Sequence, residues 1–366
     1  MSKAKAETVN GSGIWVRMLP GLVITAVAVI ALIYLVDLDQ MQEALAKMDY
    51  GALPFTVVLF FGTLISRSMA WRTVLMERGR FRDYFLTLNQ GYLLNNILPF
   101  RLGELGRALL IGGRVGMRFW QALSSIVVER VFDLGIAAGL LLGTLPFVVG
   151  ADWARSAATI SLVIVVIGFA MLFVMAQRPE LFTRFVEWIT RPAPKFSHWL
   201  KDKLSSFLEG LSALKSAKRF LAVAFWMLLT WFFNVAWYYI LMRSFLPQAT
   251  WLWALFSIAV ASVGVAIPSS PAYIGVFEGV LVGALSLFGV DPAVTLAYAI
   301  VGHILYFAVT GIIGIIGFWQ QGESLGAIYN QLIRRGAGEH DKSSLGIATP
   351  ALRARNGQGE QWLRII

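Results

Sequence analysis

The stretch NNILPFRLGELGRALLIGG, Asn95 to Gly113, carries Arg101, Glu104 and Arg107 in an apolar neighbourhood and is interrupted by Pro99, Gly103 and Gly106. Apolar sequence runs from Tyr84 to Leu98 before the interruption and resumes to Ile111 after it. Each arm is only about 11–15 residues, or about 16–22 Å as helix, whereas a hydrocarbon core about 30 Å thick needs about 20 residues. Neither arm crosses alone. Two short helices that enter and leave on one side, a helical hairpin, reconcile the apolarity with the shortness. Lipid cannot satisfy the N–H and C=O groups of a broken backbone, so the break has to be covered by protein or line a wet cavity.

The composition fixes the solvent for this hairpin. Of 366 residues, 57% are hydrophobic and 14% charged, with a mean hydropathy of +0.68, far from the usual soluble mix. The chain is predicted to be a membrane protein. A net charge of +10 does not indicate a nucleic-acid partner, because the charges fall in the gaps between apolar spans and not on one basic face. They suit cytoplasmic retention and anionic lipid. The absence of cysteine excludes disulfide and thiolate chemistry. His198, His303 and His340 show no metal-ligand spacing, so no metal and no other cofactor is expected.

Six segments are long enough to cross: 19–36, 52–75, 120–149, 155–176, 219–242 and 293–319. The first is too long for a signal-peptide core and lacks a small-x-small cleavage site, so it is read as a span. A second broken region, 251–289, is interrupted by PSSPAYIG at Pro268–Gly275 and forms a second hairpin beside the first, 84–112. Loop charges set the sides. Lys3, Lys5 and Arg17 precede the first span, Asp37, Asp39, Glu43 and Asp49 follow it, and Arg78, Arg80 and Arg82 follow the second. The positive-inside rule then places both termini and the basic 177–218 segment in the cytoplasm. Two full crossings per broken region satisfy the same parity.

The order is span, span, hairpin, span, twice over. Three crossings per unit is an odd number, so the two units are expected to be inverted repeats, with one hairpin from each face. The division is a cytoplasmic segment 1–18, a first repeat 19–150, a second repeat 151–320 and a cytoplasmic tail 321–366. The 177–218 stretch alternates aromatic or leucine anchors with Lys and Arg, as an amphipathic helix on the inner leaflet does.

An ionisable side chain inside the apolar layer costs about 2.5–3.5 kcal/mol by insertion scales and needs a partner or a wet cavity. Arg101, Glu104 and Arg107 are spaced i, i+3, i+6, so one acid faces two bases beside a helix N-terminus. That arrangement suits an anionic phosphate or carboxylate. Snorkelling of both arginines to headgroups is the competing reading. Within the third crossing, Glu129, Arg130 and Asp133 form a polar network whose net negative charge Arg101 or Arg107 would complement, as a clamp or as a substrate contact. In the second half, Tyr273 and Glu278 lie in the hairpin and His303 in the last crossing, either as a packing residue or as a proton relay. Gly275, Gly279 and Gly283 are spaced for close helix approach.

The run LLNNILPFRLGELGRALLIG, Leu93–Gly112, followed by VVERVFDLG, Val127–Gly135, with PSSPAYIGVFEG, Pro268–Gly279, resembles the membrane region of lysylphosphatidylglycerol synthases and their stand-alone relatives. The resemblance covers about residues 15–320. It implies a lipid-translocating membrane domain in which Arg101, Glu104, Arg107, Glu129, Arg130, Asp133 and Glu278 are the polar signature. About 45 residues follow the last span, too few for a transferase domain, so synthase activity is not expected.

Together these readings predict an all-α polytopic membrane protein of the cell (inner) membrane. It is expected to be a flippase or lipid-linked transporter for an anionic or aminoacylated phospholipid or a polyprenyl-linked lipid, with no catalytic residues and with membrane lipids as partners. The alternatives are an intramembrane lipid-modifying enzyme, with Glu104 or Glu278 as base, and a scaffold for a cytoplasmic lipid-synthesis enzyme.

Overall fold

The computed structural model describes residues 36–98, 101–150, 154–178, 214–265 and 271–324, with isolated positions within 30–34, 180–184 and 326–331. Most of the 19–36 span, the 177–218 segment, Ser269, Ser270 and nearly all of the tail lie outside the described residues. The described residues are helical throughout and contain no strand. They form α1 (Leu38–Lys47), α2 (Leu53–Val74), α3 (Phe81–Ile97), α4 (Leu102–Val115), α5 (Phe119–Val149), α6 (Ala154–Gln177), α7 (Ala217–Phe245), α8 (Trp251–Gly264), α9 (Val276–Ser286) and α10 (Pro292–Gln321). The helices up to Glu323 belong to one compact unit, and Ser324–Ile366 is a separate one.

Helix starts follow local chemistry. Asp37 accepts the N–H groups of Asp39 (2.9 Å) and Gln40 (3.2 Å) at the start of α1. Asp291 accepts from Ala293 (2.7 Å) at the start of α10, where Pro292 has no N–H to satisfy. Among the described residues, four stretches are long and apolar enough to cross a membrane: Tyr50–Val74, Phe119–Val149, Ala217–Phe245 and Pro292–Gln321. Their outward faces are apolar: Val58, Leu228 and Ile312 are exposed. A helix that buries polar groups and presents isoleucine outward is solvated by lipid. The 24-residue α6 presents Ile160, Ile164, Ile167 and Met171 in the same way.

The opening stretch folds as two helices with a break. At 17 and 14 residues, α3 and α4 reach about 25 and 21 Å. The break follows from Pro99, which excludes the helical region for the residue before it. Leu98 is extended at φ −101°, ψ 142°. Arg101 then adopts the left-handed conformation, φ 55° and ψ 33°, which costs a non-glycine residue about 1 kcal/mol or more. Its side chain makes no cap hydrogen bond. Asn95, in the last turn of α3, reaches across and accepts the N–H of Gly103 at 2.8 Å. Asn95→Ala is expected to lower stability by about 0.5–2 kcal/mol through loss of that cap, read as a lower midpoint of thermal unfolding in detergent.

The second hairpin has the same form. Its helices α8 (14 residues) and α9 (11 residues) span about 21 and 17 Å, joined by a break in which Ala272 and Tyr273, both at φ 59°, are left-handed. The packing pairs repeat between the halves. Helices α3 and α4 pair as α8 and α9 do, α4 packs on α5 as α9 packs on α10, and α2 touches α5 as α7 touches α10. Two contacts exchange the halves, α5 on α8 and α10 on α3, and α2 lies along α7 at the centre. The glycines of α9 behave differently from their spacing: a Cβ at Gly279 or Gly283 would meet nothing within 4 Å. Close approach occurs instead at Gly314 of α10, where a Cβ would sit 2.8 Å from the Asn89 carbonyl of α3.

Candidate functional site

A cavity of about 400 Å³ opens where both hairpin breaks meet α2, α5, α7 and α10. The ionisable side chains on its lining are Arg67, Arg101, Glu104, Arg130, Asp133 and His303, beside the phenols of Tyr92, Tyr238, Tyr273 and Tyr306. Each is delivered by a different local device. Arg101 is thrown forward by its left-handed backbone. Glu104 occupies the first turn of α4, where the helix dipole favours a carboxylate. Arg130 and Asp133 follow one another by one helical turn on α5 and pair at 3.1 Å.

Behind the lining runs a continuous ion-pair network. Glu129, 1% exposed, receives Arg67 Nε at 2.7 Å and Arg107 Nη2 at 3.0 Å. Arg107, also 1% exposed, lays its guanidinium 4.1 Å from the ring centre of Trp71. Asp133 accepts from Arg67, from Arg130 and from the Trp231 indole N–H at 3.2 Å. Arg130 Nε lies 2.9 Å from Glu104 Oε1, and Arg101 Nη1 lies 3.9 Å from the same oxygen. Four guanidinium groups thus face three carboxylates. A fourth carboxylate, Glu278, lies behind the lining on the side of the second hairpin.

Arg101 also joins the two hairpins. It donates to the carbonyl of Val265, which closes α8, and stands 5.3 Å over the ring of Tyr273 on the far side of the second break. Glu278 Oε2 accepts the N–H of Gly275 at 2.7 Å, and its Oε1 bonds His303 Nδ1.

Of the residues singled out in the sequence, Arg101, Glu104, Tyr273, Arg130, Asp133 and His303 line the cavity, whereas Arg107, Glu129 and Glu278 lie behind it. The Arg101, Glu104, Arg107 trio therefore divides. Arg101 and Glu104 reach the cavity, and Arg107 is turned away onto Glu129 and Trp71. Arg67 escaped the sequence reading, although it bonds two of the three acids. Its signal was a lone arginine in the ISRSMAW run, in the middle of an apolar 22-residue helix, a placement that demands a buried partner. Among the described residues no cluster of three or more His, Asp or Glu is disposed to hold a metal ion.

Comparison with known proteins gives one family and several relatives. The family described as lysylphosphatidylglycerol synthase TM region matches residues 18–314. A UPF0104 membrane protein of Methanothermobacter thermautotrophicus is 23% identical over 326 residues, covering 83% of this chain and 95% of the relative. A second from the same organism is 24% identical over 299 residues, covering 79% and 89%. The glycosyltransferase AglD of Haloferax volcanii is 24% identical over 338 residues, which is 82% of this chain but 54% of AglD.

Proposed function

We propose, from the premise that this chain belongs to the lysylphosphatidylglycerol synthase TM-region family, that it moves a lipid with an anionic headgroup between the leaflets of the cell (inner) membrane. The observation that carries this reading is the cavity between the two breaks, with four arginines against three carboxylates at and behind its wall. A phosphate is held at Arg101 and Arg130, which line the cavity and whose side chains are 23% and 28% exposed. The acyl chains stay in the bilayer beside Leu134, an exposed leucine on the cavity rim. The substrate is an anionic or aminoacylated phospholipid or a polyprenyl-linked lipid.

The exchanged packing pairs support a division into inverted repeats, 19–150 and 151–320, with the hairpins entering from opposite faces and both termini cytoplasmic. Alternation then consists of one hairpin releasing the other, and Arg101, which grips both ends of the second break, is the latch. Translocation of a fluorescent anionic phospholipid in proteoliposomes tests the proposal. Wild type is expected to exceed empty vesicles, and Arg101→Asn is expected to lose about 10- to 100-fold, the cost of about 1.4–2.8 kcal/mol of headgroup binding. Asparagine tolerates the left-handed backbone better than alanine does, so the loss reports the guanidinium. Translocation at the level of empty vesicles for wild type, or unchanged for the variant, sinks the reading.

A second reading is glycosyl transfer, which the name of the glycosyltransferase AglD suggests, here with a membrane lipid as acceptor. It predicts a change in lipid mass after incubation. The cavity carboxylates Glu104 and Asp133 are both engaged by arginine, which leaves neither positioned on its own as a base for such a transfer.

A further inference from the structure

Glu278 and His303 stand apart from the arginine network and are not needed to hold a phosphate. Glu278 is 6% exposed and His303 9%. One carboxylate oxygen is committed to the Gly275 N–H at the start of α9, and the other meets His303 Nδ1 on α10. The imidazole reaches the cavity lining between the rings of Phe277 (4.9 Å) and Phe307 (4.2 Å). An ionised Glu278 requires the proton of a neutral imidazole on Nδ1, which leaves Nε2 as the atom that can accept another.

Several titratable and charged groups face the pair. Tyr298 and Tyr306 share its helix, Tyr238 comes from α7, Tyr92 from α3 and Tyr273 from the broken turn, with Arg67, Arg101, Arg130, Glu104 and Asp133 across the cavity. Helix α8 carries no ionisable side chain, and the charged residues of α1 are exposed.

Counting charge over the whole assembly decides what the pair does. The four arginines and three carboxylates leave one positive charge, and Glu278 cancels it while His303 is neutral. The empty cavity is then balanced. A monoanionic phosphate group entering at Arg101 upsets the balance, and one proton on His303 restores it. An unbalanced charge in a low-dielectric interior is penalised, so the two balanced states are the empty site with neutral imidazole and the loaded site with imidazolium.

We propose that the Glu278–His303 pair is a proton site coupled to the anion site: one proton from water binds His303 Nε2 as each anionic phosphate group binds, and it returns to water when the anion leaves. This rests on the cavity being an anion site. It adds that the anion travels with a proton, so that the loaded carrier is electrically neutral and a proton gradient can drive it.

Calorimetric titration of the purified full chain, in two buffers of different ionisation enthalpy at neutral pH, counts the protons. The probes are dihexanoyl-phosphatidylglycerol and, separately, inorganic phosphate. Wild type is expected to take up about one proton per phosphatidylglycerol bound. His303→Gln and Glu278→Gln are expected to bind it within about tenfold in affinity with no proton uptake. Glutamine at 278 keeps an acceptor for the Gly275 N–H, so the pair of variants guards against one misfolding. Binding without proton uptake in wild type overturns the proposal, as does uptake in His303→Gln equal to wild type. Uptake with inorganic phosphate alone that is lost in His303→Gln supports the coupling and assigns the anion to a soluble phosphate, whereas uptake that persists in the variant belongs to the phosphate itself and counts against the coupling. No binding of either probe overturns this proposal and the headgroup reading together. Proton uptake without lipid translocation in vesicles leaves the proton site standing and removes the transport reading, and translocation without proton uptake does the reverse.

Discussion

Glu129→Gln is expected to lower the stability of the folded protein by about 3–5 kcal/mol, the cost of leaving a buried charge without its partner. Glu129 is 1% exposed and bonds Arg67 at 2.7 Å and Arg107 at 3.0 Å, so its neutralisation strands two guanidinium groups. Arg67 retains Asp133, whereas Arg107 retains only the face of Trp71. The loss therefore falls mainly on Arg107. The double variant Glu129→Leu with Arg107→Met is expected to recover much of it, because removing both members of a buried pair is often close to neutral. Thermal unfolding in detergent of the two single variants and the double checks this. A double variant as unstable as the two single losses added together would show that the pair does not act as a unit.

Gly103→Ala is expected to cost at least about 3 kcal/mol, at or above the upper end of ordinary overpacking. A Cβ there would lie 2.0 Å from the carbonyl oxygen of Gly91 and 2.5 Å from Asn95 Oδ1. The first obstacle is backbone of the facing helix, which no rotamer change removes, and the second is the side chain that caps α4. Gly91 carries the matching requirement, since a Cβ on it would sit 2.1 Å from Cγ of Arg107 and block that side chain from Glu129. These two glycines let α3 and α4 close into a hairpin while an arginine passes between them. Gly113→Ala in the same helix is the control, because nothing lies within 4 Å of its Cβ. It is expected to be neutral or to stabilise by about 0.4–1 kcal/mol through the loss of glycine's freedom in the unfolded chain. Equal midpoints of thermal unfolding for the two alanine variants would contradict the hairpin packing.

Both results bear on function because the hairpin presents Arg101 to the cavity. A network that fixes α2, α4 and α5 to one another holds the wall of the cavity, and Arg107 and Glu129 belong to that wall and not to its surface. At the breaks, Arg101, Ala272 and Tyr273 all adopt left-handed backbone.

The all-helical architecture, the long apolar spans that the structure describes and the two breaks were legible in the sequence. Crossing length depends on consecutive apolar residues. The break at Leu98 depends on the proline that follows it, and the shortness of α3, α4, α8 and α9 on where proline and glycine fall. These are properties of neighbours along the chain. The presence of charge inside the apolar layer was equally plain, and so was the need of that charge for partners. Which partners it found was settled by tertiary structure alone. Arg67 reaches Glu129 across 62 positions and Arg101 reaches Val265 across 164. The division of the arginines into those that brace the wall and those that face the cavity follows from how eight of the described helices pack around it. In a low-dielectric interior every ion must be matched by whichever counter-charge the packing brings within about 3 Å, and residue spacing along one helix carries no record of what another helix presents.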